Sequence, residues 1–105
     1  MKTYKLTGYV LGNYWGGGQG AYPCERLENN DHKKLMQEAR SLLKSGGLDS
    51  GMGFDGLIGA IVDIEIIDTI EKDGRKYKNS EYETKFIGKL TPKQKTFLED
   101  CRFNY

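Results

Sequence analysis

Neither sign of charge is in excess in this chain, histidine occurs once, cysteine twice, and no apolar run approaches the length of a membrane span. Each shortage removes a class of protein. With 16 basic and 15 acidic residues, no overall field draws the chain toward nucleic acid or an anionic membrane. A spanning helix needs about 20 apolar residues, and the start, MKTYKLTGYV, holds too short an apolar run for a signal peptide. Cys24 and Cys101 are too few and too far apart for a disulfide scaffold, and Asn-x-Ser/Thr is missing. The expectation is a soluble, cytoplasmic chain with two reduced thiols and no membrane partner.

The 105 residues have room for one globular domain, 1–105, because two halves would each be too small to bury a stable core. Tyr4, Leu6 and Val10 alternate with Lys5, Thr7 and Tyr9, which predicts a strand over residues 2–11 with one wet face. AYPCERLEN is a weaker strand, and Pro23 confines it to an edge or a strand start. Asn30 or Asp31 caps a predicted helix of about fourteen residues whose Leu35, Met36, Ala39, Leu42 and Leu43 share a face, and the following Ser-Gly-Gly ends it. Two strand-like runs then flank Asp73-Gly74, a two-residue hairpin turn. Thr91-Pro92-Lys93-Gln94 opens a last helix with a capping box, and Phe97, Leu98 and Cys101 follow at core spacing. The expected fold is α+β in the order β-β-α-β-β-α: two layers, an antiparallel sheet of 3–4 strands with both helices packed on one face.

The hairpin poses a register question. Ala60, Val62, Ile64, Ile66 and Ile70 share a face, yet an unbroken two-residue hairpin sets Ile66 against Glu81 and Ile64 against Glu83. A bulge near Asn79-Ser80 would instead bring Ile66 to Tyr82, Ile64 to Thr84 and Val62 to Phe86, keeping carboxylates out of the core. In that register Asp63, Glu65 and Glu83 share the polar face, with Glu65 opposite Glu83 and Asp63 opposite Lys85. Paired carboxylates about 5 Å or more apart do acid and base work in hydrolases and transferases, but only inside a cleft. The face also carries Ile61 and Ile67, which makes a second copy of the chain a candidate cover and a homodimer or structural homo-oligomer subunit an alternative reading.

Other motifs carry less. GGGQGA and GMGFDG match the dinucleotide fingerprint, but neither joins a strand to a helix whose N-terminus would hold a pyrophosphate. Cys24, His32 and Cys101 match no zinc spacing, and His32 sits at a helix start. No metal and no cofactor is expected.

What remains is GNYWGGGQGAYP, residues 12–23, with five glycines, three aromatics and no charge. Glycines permit tight turns while aromatics fold back as a lid on the core. Against that stands the entropy lost by fixing so many glycines, which suits a place where backbone approaches a ligand closely and Trp15 stacks on a ring or fills a partner's pocket. Tyr14, Trp15, Gly16, Gly17, Gly18, Gln19 and Tyr22 are the candidate contacts, joined by Met52 and Phe54 of the second glycine-rich segment if the sheet order brings it alongside. No carboxylate precedes residue 25, which suits an anionic, nucleotide-like ligand. A basic groove for nucleic acid is missing. The composition therefore suggests a small non-catalytic binding protein, contacting a protein partner or a compact nucleotide-like ligand. An inhibitor or ligand-sequestering protein such as phages and other mobile elements encode is one concrete form. A carboxylate-dependent hydrolase or transferase is the alternative from another class.

Overall fold

The computed structural model describes residues 2–49 and 54–103. The elements run β1 (Lys2–Asn13), β2 (Gln19–Pro23), β3 (Leu27–Asn29), α1 (His32–Ser45), a single 3-10 turn (Gly47–Asp49), β4 (Gly56–Lys72), β5 (Arg75–Gly88) and α2 (Pro92–Phe103). All pairing is antiparallel in the order β2-β1-β4-β5, with β3 also on β1. Among the described residues the fold is thus α+β with five strands and two helices. The extra strand comes from Pro23: β2 pairs with residues 9–13 of β1 and β3 with residues 4–6, so one interrupted edge is built from two pieces. Proline cannot donate to the ladder, and the chain leaves it one residue on, after the Cys24 N–H donates to Gly8 O at 2.9 Å.

Local chemistry accounts for the helix ends. Asp31 accepts from the backbone N–H groups of Lys33 and Lys34, and Gly46 closes α1 with a positive φ of 87°. At α2, the Thr91 N–H donates to the Gln94 side chain at 2.9 Å, and the Gln94 N–H donates back to the Thr91 hydroxyl at 3.2 Å.

The helices lie on opposite faces of the sheet, which corrects the expected two layers to three. Leu35, Met36 and Ala39 of α1 pack with Leu6, Val10, Ala60, Val62 and Ile64. Leu98 of α2 packs with Leu11 and Ile61 from the other side. Neighbouring residues on a strand point to opposite faces, so burying Ala60, Ile61 and Val62 together requires cover on both. That unbroken apolar run was the sequence's signal for a doubly covered strand. Ile61, at 1% exposure, is therefore covered by α2 and offers nothing to a second copy of the chain. Phe97, expected in the core, is 43% exposed, while Leu98 beside it is fully buried.

The expected bulge in the β4–β5 hairpin is missing as well. Pairing runs unbroken from Lys72 opposite Arg75, placing Glu81 opposite Ile66, Tyr82 opposite Glu65, Glu83 opposite Ile64 and Thr84 opposite Asp63. Glu83 is tolerated because β5 is the sheet edge, where the carboxylate reaches His32 at the start of α1 at 2.5 Å and keeps a third of its surface in water. Ile66 beyond Ile64 is only partly buried, so β5 at this end need not follow the core pattern that Ile87 keeps farther along.

Candidate functional site

The glycine-rich segment forms the tip of the β1–β2 hairpin. Asn13 pairs with Gln19, leaving a five-residue loop, 14–18. Inside it the Tyr14 N–H donates to Gly18 O and the Gly17 N–H donates to Tyr14 O, both at 3.1 Å. Gly17 and Gly18 adopt φ of 96° and 84°, where other residues are strained.

Rings hold the base of this loop. A Cβ built at Gly12 would stand 2.5 Å from the Phe54 ring, and one at Gly20 would collide with the Tyr14 ring. Gly12 and Gly20 are cross-strand partners, so together they form a bare patch of sheet on which the two rings lie. Tyr14 and Phe54 touch at 5.2 Å between centroids, tilted by 42°. Phe54 is fixed in turn: its N–H donates to the buried Asp49 carboxylate at 3.2 Å, and the next amide, Asp55, donates to Asn13 O at 2.8 Å. Phe54 and Asp55 of the second glycine-rich segment thus lie beside the first.

The candidate residues divide three ways. Tyr14 and Phe54 come together on the α1 side of the sheet, and Tyr22, the partner of the core residue Val10, lies on the same face. Trp15, 74% exposed, stands at the tip with Gly16, Gly17 and Gly18. Gln19 turns to the other face, where the Gln94 side-chain amide donates to it at 3.4 Å and both border a groove of about 400 Å³ floored by Leu11 and Phe97. Met52 lies outside the described residues. Pattern reading missed the groove because Phe97 has core spacing on α2; only the position of Leu98 shows which way the helix faces.

Gly16 behaves differently from the other glycines of the corner. Its φ is not in the positive region, and a Cβ there would meet nothing within 4 Å. Nothing in the folded chain requires glycine at this position.

The carboxylates do not share a face. Glu83 lies on the α1 side with His32, whereas Asp63 and Glu65 lie on the α2 side. Asp63 accepts from Arg102 Nε at 2.8 Å and from the Thr84 hydroxyl at 2.7 Å. The Asp63 hydrogen bond holds the Arg102 guanidinium above its usual range. Glu65 accepts from the Tyr82 phenol at 2.5 Å, which raises that phenol. Each carboxylate is thus engaged by a neighbour, in contrast to the paired arrangement expected with a bulge. The Cys24 thiol is pushed up to about 12, chiefly by burial, so it stays protonated and unreactive near neutral pH. Among the described residues no three His, Cys, Asp or Glu side chains converge as a metal site would require, and no helix is long and apolar enough to cross a membrane.

No known protein family, curated protein or solved structure matches the chain. Any reading of function rests on this geometry.

Proposed function

We propose that this chain is a non-catalytic binding protein that holds a protein partner through the glycine loop, with Trp15 as the anchor. The carrying observation is a tryptophan 74% exposed at the tip of a loop whose base is clamped by Tyr14 and Phe54. Tryptophan buries a large area when a partner closes on it, and a pre-ordered loop loses little conformational entropy on binding. A ring this exposed leaves most of its area for a partner to cover.

A protein partner is favoured over an anionic, nucleotide-like ligand by one detail of the corner. The stretch before residue 25 has no carboxylate, but the fold brings Asp55 back to bond Asn13 at the base of the loop. Asp55 brings a negative charge to the base of the loop, which disfavours an anion beside it. Inhibition or sequestration of the partner is the form of activity that suits a small chain acting by contact.

The test places a photoreactive phenylalanine analogue at position 15 and, as a control, at Lys72 beside the far hairpin turn, in cells that express the protein. The reading expects a discrete adduct with a protein other than this chain at 15, missing at 72, whose partner loses affinity by about 2 kcal/mol or more for Trp15→Ala at unchanged melting temperature. If Trp15→Ala instead lowers the melting temperature by the amount a core aromatic costs, about 3 to 5 kcal/mol, the ring is structural and the reading fails.

A further inference from the structure

The two edges of the sheet are built differently. The β2/β3 edge is broken by Pro23 into strands of five and three residues, which is how natural sheets blunt an edge. The β5 edge runs 14 residues with neither proline nor register shift, and its first eight residues, 75–82, are all exposed. Its first part, with the end of β4, reaches past the rest of the sheet: β1 stops opposite Asp68, so residues 69–78 form an arm on a molecule 59 Å long and 26 Å across.

The direction of the unused backbone groups follows from the turn. Residues flanking a two-residue turn exchange their hydrogen bonds, so Arg75 and every second residue after it bond toward β4. Lys76, Lys78, Ser80 and Tyr82 therefore present their N–H and C=O groups at the open edge.

We propose that a second copy of this chain covers this edge, two β5 strands pairing antiparallel about a two-fold axis at Asn79. A two-fold axis joining two sheet edges stands perpendicular to the sheet, so partners must come from the same face and their residue numbers must have an even sum. Charge then selects among the few registers left. One places Lys78 on its own copy, another Arg75 on Lys85, a third Glu81 on its own copy, and each sets like charges together. Centring on Asn79 avoids all three. Arg75 then faces Glu83, Lys76 faces the ring of Tyr82, and Lys78 faces Ser80. The basic end of each strand lies on the acidic middle of the other, and the pairing ends at Glu83, where α1 and α2 begin to flank the sheet. Lysines on an edge usually repel a second strand, but in this register each meets a ring or a hydroxyl. About eight backbone hydrogen bonds join the copies.

Asn79 lies on the axis in a non-hydrogen-bonded pair, where Cα atoms are about 4.5 Å apart, within disulfide range. In a Cys101→Ser background, Asn79→Cys is expected to form a disulfide-linked dimer under mild oxidation while Glu81→Cys stays monomeric. The unmodified chain is expected to sediment as a dimer at high micromolar concentration. Ser80→Pro, which removes an outward N–H, returns it to a monomer with its fold intact by circular dichroism. A chain that stays monomeric at every concentration, or cross-links through Glu81→Cys and not Asn79→Cys, overturns the proposal, and both readouts stand even if Ser80→Pro fails to fold.

Discussion

The molecule ends in two hairpins that solve the same problem in opposite ways. At one, Asp73 and Gly74 turn the chain in two residues with φ of 54° and 74°, and the backbone conformation alone accounts for the glycine. At the other, five residues and three consecutive glycines do the same job, and rings from two segments are needed to hold the base. A tight turn was within the chain's means. The longer solution therefore serves something besides reversal, and its surplus is an exposed tryptophan with an unhindered stretch of backbone beside it.

The contrast breaks most visibly at the clamp. Gly20→Val puts a branched side chain where the Tyr14 ring lies, so the ring must leave the sheet and its contact with Phe54. Overpacking of this kind costs roughly 1 to 3 kcal/mol, or about 10 °C in melting temperature for a chain of this size. A thermal melt that does not move would show the base is not clamped by that ring. The short turn is expected to be less sensitive. Gly74→Ala meets no atom within 4 Å, so its cost is the left-handed backbone alone, about 1 kcal/mol, read as a smaller shift in the same melt. It should leave binding through the far loop unchanged. A larger loss at Gly74 than at Gly20 would reverse the comparison.

Much of the fold is legible in the residues, and the failures share a cause. The caps at Asp31, Thr91 and Gly46 and the turn at Asp73-Gly74 depend on chemistry within a few residues, and local sequence states it directly. Which face each helix covers is a long-range fact. Ala60, Val62 and Ile64 read as one core face with Ile61 between them on the solvent side, although a run buried on both faces looks the same as one buried on a single face with an interloper. The expected bulge failed for a related reason. Carboxylates on β5 would enter the core only if α1 covered β5 as fully as β4, whereas β5 lies at the margin where His32 receives Glu83. In the candidate site, the role of Gly12 and Gly20 as seats for rings appears only when Phe54 is brought from forty residues away.

The smallest expected effect on stability is the most informative about the loop. Gly17 and Gly18 need their glycines for the turn, and Gly12 and Gly20 need theirs for the rings, but Gly16 has an ordinary φ and open space around its missing Cβ. Gly16→Ala should therefore leave the melting temperature unchanged or raise it slightly, because alanine restricts the unfolded chain by about 0.4 to 1 kcal/mol at a compatible position. A partner whose backbone or ring comes close to residue 16 would meet the added methyl. Binding would then weaken while stability holds, a separation that a purely structural glycine cannot produce. Calorimetry of the variant together with its affinity for the cross-linked partner reads both quantities. Loss of stability at Gly16 would mean the loop is tighter than its geometry indicates, and unchanged affinity would move the contact away from the glycines onto Trp15 alone.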